Sequence, residues 1–157
     1  MKKENTQIEV HTYNWGPCLI KVNILEDFRN KLLEEAKKTE IDYKDKLAGQ
    51  LASERGYSEK QREIIIPYLS PYLGVYDEAF QRFQNKRFER KPEYTLTALW
   101  CNFQRPHEFN PPHDHDGKLS FVIYLSIPEQ LKKENDEYKG RSCGPGGIQF
   151  MYGEGPR

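Results

Sequence analysis

Two prolines and two histidines constrain this chain more than any other feature. Phe109-Asn110-Pro111-Pro112-His113-Asp114-His115-Asp116-Gly117 runs almost directly into Leu119-Ser120-Phe121-Val122-Ile123-Tyr124-Leu125. Consecutive prolines hold the backbone extended and exclude a helix at and just before them. The apolar run after them reads as a strand, Leu119 to Ile127, closed by Pro128. Side chains alternate along an extended chain, so His113 and His115 share a side, about 6 to 7 Å apart along the backbone. Both rings can then meet one ion at about 2.1 Å, while Asp114 faces the other way. His107 has the same parity but lies about 20 Å away in an extended segment, so a three-histidine centre requires Pro111-Pro112 to fold the chain back. His11 has no motif around it. A bare H-x-H suits ordinary surface residues at a strand mouth as well as it suits a metal site.

The segments before this one read as strands and supporting helices. Ile8 to Leu25 alternates around the turn signal Asn14-Trp15-Gly16-Pro17, which predicts two short strands, the second holding Leu19, Ile20, Val22 and Ile24. A helix opens at Glu26 or Asp27, places Phe28, Leu32, Leu33 and Ala36 at helical spacing, and ends at Lys37-Lys38, where cations suit the carbonyl terminus. From Thr39 to Tyr57, around the island Leu47-Ala48-Gly49-Gln50-Leu51, no period is visible, and a loop with a short helix is expected. Ser58-Glu59-Lys60-Gln61 resembles a helix start, and Ile65, Leu69, Tyr72, Leu73, Tyr76, Ala79, Phe80 and Phe83 continue the stripe as a packing face. Pro67 and Pro71 within it predict a break or kink.

Beyond Pro92 the pattern turns to strands: Tyr94 to Gln104, then Leu119 to Ile127, then Ile148 to Tyr152. Glu129 to Lys139 reads as a solvated excursion with a little helix. The glycine-rich loop from Gly140 to Gly147 lacks the lysine and the succeeding helix of a phosphate loop, so no nucleotide site is expected there.

Composition narrows the function classes. At 157 residues the chain has the size of one domain. Formal net charge is zero, with 31% charged residues, which gives no basic field to draw in nucleic acid. Cys18, Cys101 and Cys143 are odd in number, widely spaced and without a C-x-x-C pattern, so neither a disulfide framework nor a zinc knuckle is expected. No run approaches the apolar length that a bilayer needs, and the first residues are polar. The expectation is a protein without a membrane partner, cytoplasmic in a cell or an infected host cell.

Three stretches together resemble a known family: Trp100-Cys101-Asn102-Phe103-Gln104, then Glu108 to His115, then Leu119 to Pro128. They look like the core of oxygenases dependent on Fe(II) and 2-oxoglutarate, in particular the small prolyl-hydroxylase-like group of phages and marine bacteria. Gly144-Pro145-Gly146-Gly147-Ile148-Gln149-Phe150 also resembles the next segment of that group. The resemblance implies an α+β chain whose fold is a double-stranded β-helix, a cupin-like jelly-roll. Residues 1–91 would supply strands and helical support, and residues 92–157 the first part of the core. It implies Fe(II) held by a facial triad, with 2-oxoglutarate decarboxylated to succinate as a substrate carbon is hydroxylated. By the same likeness His113 and His115 take the positions of the first ligand pair, Ser120 and Tyr124 hold the distal carboxylate of 2-oxoglutarate, and Asn102 lines the cavity.

The chain departs from that pattern in two places. The family's first pair is H-x-D, and here the carboxylate position holds His115; Asp116 can supply an oxygen through a local turn, although its parity is wrong for a regular strand. No histidine comes after His115, and Arg141 and Arg157 are the remaining arginines. The jelly-roll is accordingly expected to be incomplete at its C-terminal side. An open sheet edge favours pairing with a second copy or a complementary chain, and a non-catalytic β-helix remnant serving as an interaction module is the alternative reading. The substrate is not readable from the sequence.

Overall fold

The computed structural model describes residues 9–14, 16–44, 48–49 and 51–153, which leaves Ile8, Trp15, Leu47, Gln50 and Arg157 outside the described residues. The first two predicted strands form a hairpin. β1 (Val10–Asn14) pairs antiparallel with β2 (Cys18–Val22), Val10 opposite Val22 and Asn14 opposite Cys18. Gly16 turns this hairpin at φ +147°, and a Cβ there would stand 2.6 Å from the ring of Tyr152. The C-terminal stretch thus returns to lie over the turn, and glycine makes room for it.

α1 (Glu26–Lys38) carries Glu26 and Asp27 in its first turn and Lys37 and Lys38 in its last, matching the charges to the helix dipole at both ends. Phe28, Leu32 and Ala36 are buried at i, i+4 and i+8, the inner stripe that periodicity predicted. α2 (Glu59–Gln84) starts with a complete capping box: the Ser58 hydroxyl accepts from the Gln61 backbone N–H, and the Gln61 side chain accepts from the Ser58 backbone. It stops at Asn85, whose left-handed conformation (φ 49°) lets its N–H donate to Arg82.

The sequence predicts a break or kink at the prolines, yet the helix runs unbroken through both. Pro67 and Pro71 are exposed and one turn apart, so the carbonyls deprived of an N–H partner, those of Glu63 and Pro67, belong to exposed residues and can turn to water. Inward-facing Ile65, Leu69 and Tyr72 hold the helix to the core meanwhile.

The core lies between α1, α2 and one face of a small sheet. Phe28 stacks on Tyr72 at 5.6 Å and on Tyr68 at 6.0 Å, and Ile65 is fully buried. The sheet pairs β3 (Glu54–Gly56) antiparallel with β4 (Trp100–Asn102), Glu54 opposite Asn102 and Gly56 opposite Trp100. Residues 41–43 run along the other edge of β3, with the Tyr43 N–H donating to Glu54 and the Gly56 N–H to Ile41, both at 3.0 Å. β3 was not expected, because three residues of Glu-Arg-Gly have no apolar alternation to betray a strand; backbone pairing on both sides creates it. β4 lies inside the predicted 94–104 strand but is only three residues long.

Ile123 and Leu125 pack against the core, and Leu119 is half-buried, whereas Ser120, Val122 and Tyr124 are exposed. Residues 119–127 alternate as a strand would, without belonging to a ladder among the described residues. Residues 148–152, expected as a further strand, are exposed throughout and join no ladder among the described residues. α3 (Glu129–Glu137) is the solvated helix expected there, with no buried residue. No helix among the described residues is long and apolar enough to cross a membrane.

Ile65→Ala should lower unfolding free energy by about 2 to 5 kcal/mol in chemical denaturation, since it empties a closed site, while Ile64→Ala, at an exposed position, should change it by less than about 0.5 kcal/mol. Glu35 is buried, and its carboxyl is held below the usual range, first by the hydrogen bond from Lys38, with Lys31 and Gln61 adding and burial opposing. A depressed carboxyl contributes stability above its unfolded pKa and loses it as pH falls through the folded value. Glu35→Gln should therefore flatten the acid limb of a melting-temperature profile and destabilise the chain at neutral pH.

Candidate metal site

The histidine segment lies in a loop rather than in a paired strand, but it does what parity requires. His113 Nε2 and His115 Nε2 stand 2.9 Å apart. Two donors bound at about 2.1 Å and about 90° from each other are separated by about 3 Å, so the two lone pairs can occupy adjacent corners of one octahedron. His113 Nδ1 is 2.7 Å from the Pro111 carbonyl. Donation there fixes the tautomer that leaves Nε2 free to bind, the usual service of an outer hydrogen bond to a metal-binding imidazole. Pro111 thus straightens the approach and also supplies the acceptor.

His115 is held from its face. Its ring stacks on Trp100 at 5.4 Å and 15° between planes, and Trp100 stacks in turn on Tyr43 at 5.9 Å. Tyr43 reaches that place because Gly56 has no side chain: a Cβ at Gly56 would stand 2.5 Å from the Tyr43 ring. The register of β3 on β4 therefore carries through Gly56, Tyr43 and Trp100 to the orientation of His115.

The face of the sheet that bears Trp100 is turned away from the helical core, which takes Leu99, Cys101 and Phe103 instead. Asn102 shares it, half-buried, with its Oδ1 buried and without a hydrogen-bond partner among the described residues. Directly opposite stands Glu54, 2% exposed, both carboxylate oxygens likewise without a partner among the described residues. Burial pushes the Glu54 carboxyl up from its ordinary value; Lys44 opposes the rise, and Asp42 and Glu108 add to it. Glu108 braces the neighbouring loops, accepting from the Ala52 N–H at 2.9 Å and the Arg105 N–H at 2.7 Å.

The remaining candidates are spread out. Asp116 is exposed and does not join the histidines in a group of three metal-binding side chains among the described residues. Ser120 is exposed. The Tyr124 hydroxyl donates to the Gly146 carbonyl at 2.9 Å, tying the 119–127 segment to the Gly144-Pro145-Gly146-Gly147 turn, and burial raises its pKa. No hydrogen bond joins Ser120, Tyr124 or Asn102 to the histidine pair among the described residues. His107 is exposed, at φ +68°, and is not part of the cluster. Sequence reasoning missed Glu54, Tyr43 and Gly56, all of which depend on β3 and its edge; Trp100 entered it only within a strand and within the first stretch of the family resemblance, with no role of its own.

Compared with known proteins, the chain matches no family model, no curated protein and no solved structure.

His113→Ala and His115→Ala should each weaken binding of Co(II) to the metal-free chain by more than about tenfold in calorimetric titration, because one imidazole alone is a poor site. His107→Ala should bind as the parent does. Equal loss in all three variants would instead indicate a three-histidine centre.

Proposed function

We propose that this chain is an oxygenase dependent on Fe(II) and 2-oxoglutarate, built as the first part of a double-stranded β-helix with helical support. The observation that carries the reading is the approach of His113 Nε2 to His115 Nε2 at the spacing of cis ligands. These two residues fit the imidazole share of a facial triad, and Asp116, on the same exposed loop and next to Gly117 at φ +95°, is the carboxylate assigned to it. Bound there, the iron supplies oxygen activation and the oxidation of 2-oxoglutarate to succinate that drives hydroxylation of a substrate carbon.

The chain's own residues orient and select. Trp100 fixes the plane of His115, and the Pro111 carbonyl fixes the tautomer of His113. Ser120 and Tyr124 fall on the side of their segment opposite Ile123 and Leu125, as the inner face of a jelly-roll sheet would with helices packed on its outer face. Their hydroxyls are assigned to the distal carboxylate of 2-oxoglutarate, and Asn102 to the wall of the same cavity.

A second reading, an interaction module that pairs with a second copy or a complementary chain, is favoured by one observation. Phe109, Val122, Met151 and Tyr152 are 65%, 59%, 52% and 67% exposed. Large apolar side chains left exposed in this way suit a contact between molecules.

Anaerobic addition of Fe(II) and 2-oxoglutarate should produce a weak visible charge-transfer band, and oxygen should then yield succinate. His113→Ala should abolish both. No band and no metal uptake, in a chain that sediments as a dimer, would reject the oxygenase and leave the interaction module.

A further inference from the structure

From Ile64 to Tyr76 α2 carries no charged residue, in a chain with 31% charged residues. One side of that stretch is the core face. On the other, Ile64, Ile66 and Tyr68 are 37%, 42% and 38% exposed, and Pro67, Pro71 and Gly74 are exposed with them. A helix uncharged on both sides is ordinarily covered on both. Gly74 is a second sign of a missing neighbour. Glycine weakens a helix interior, yet nothing among the described residues lies within 4 Å of where its Cβ would stand, so its own chain does not require it. The place is open to a backbone arriving from outside.

The two ends of this face carry opposite charge. Glu59 and Glu63 are exposed before the uncharged stretch, without an ion pair among the described residues. After it, Arg82, Lys86 and Arg87 line an open hollow of about 640 Å³ together with Glu78, Gln81 and Asn85. Arg82 pairs only with Glu78, at 3.6 Å, and Lys86 only with Glu89, at 3.9 Å, both between exposed side chains and of little worth in water. Turned end for end, the face is complementary to itself. About a two-fold axis between Tyr72 and Leu73, Pro71 falls opposite Gly74, Pro67 opposite Glu78, Glu63 opposite Arg82 and Glu59 opposite Lys86. These residues follow one another at steps of three and four, the spacing of one helix face, and all are exposed. The Glu63 carbonyl, deprived of its N–H by Pro67, adds a further acceptor for the incoming guanidinium.

We propose that α2 is the two-fold contact of a homodimer, lying antiparallel to α2 of a second copy, with Pro71 seated on Gly74 at the centre and the Glu63–Arg82 and Glu59–Lys86 pairs closing both ends. An unrelated partner would have no use for a face that matches its own reverse; a second copy does. The contact draws on none of Phe109, Val122, Met151 or Tyr152 and needs no metal, so it holds whether or not the histidine pair takes up iron.

The test is sedimentation of the whole, metal-free chain from about 1 to about 500 μM, the range in which a contact between two helices dissociates. The parent chain should pass from monomer to dimer. Gly74→Gln fills the open place with a better helix former, so it should keep or raise the melting temperature of the monomer while weakening association by more than about tenfold. Glu63→Arg and Arg82→Glu each set like charges against each other at both ends of a two-fold contact, and each should also cost about tenfold or more. The double variant carrying both changes restores opposite charges across the axis and should recover the dimer. These exposed charge swaps leave the core untouched and decide the matter should Gly74→Gln not fold. A parent chain that stays monomeric at about 500 μM would overturn the proposal. So would a folded Gly74→Gln chain that associates like the parent, or a double variant no better than either single one. A dimer that Val122→Lys dissociates and Gly74→Gln does not would place the contact on the other surface and overturn it as well. Metal is absent throughout, so failure here is separate from failure of the Fe(II) titration.

Discussion

The junction at Gln61 holds the two long helices and the sheet together. Its side-chain oxygen closes the cap of α2 on the Ser58 N–H, and its amide nitrogen donates to the Glu35 carbonyl near the end of α1 at 2.9 Å. One residue therefore finishes one helix and starts the next, satisfying groups that helix ends otherwise leave open. Around it, Lys31 and Lys38 neutralise the buried Glu35 carboxylate, Thr39 donates from the α1 C-cap to the Gly56 carbonyl at 2.6 Å, and the Tyr57 hydroxyl donates to Leu32 at 2.9 Å. β3 is positioned by these bonds before any side chain of the site is considered. The histidine loop, leaning on Trp100 and through it on Gly56, inherits its place from the same junction.

Much of the helical half was legible because its signals are local. Glu26 and Lys38 mark the two ends of α1 by charge, Ser58 and Gln61 mark the start of α2, and Phe28, Leu32 and Ala36 repeat with the helical period. The hairpin was legible from its turn. β3 was not, since nothing in Glu54-Arg55-Gly56 prefers an extended backbone until residues 41–43 and β4 pair with it from both sides. The prolines of α2 misled for a related reason: their effect depends on which side of the helix they occupy, and that is decided by packing.

The site shows the same division. Shared parity of His113 and His115 was readable two residues apart, because alternation is a property of any extended backbone. The stack of Tyr43, Trp100 and His115 was not readable, since it joins residues 43, 100 and 115 through a glycine at 56. Glu54 had no signal at all in the sequence: its burial without a partner among the described residues is something only the folded chain can produce.

The paired prolines of α2 bear on how the chain acquires its structure. Pro67 and Pro71 each delete a rung on the wet side of the helix, so the backbone ladder is thinned across a turn whose other side is buried through Ile65, Leu69 and Tyr72. Continuity of the longest helix is then a property of the core and not of the segment. A peptide spanning residues 59–84 has little reason to stay helical through its middle, and α2 reaches its full length only once α1 lies against it.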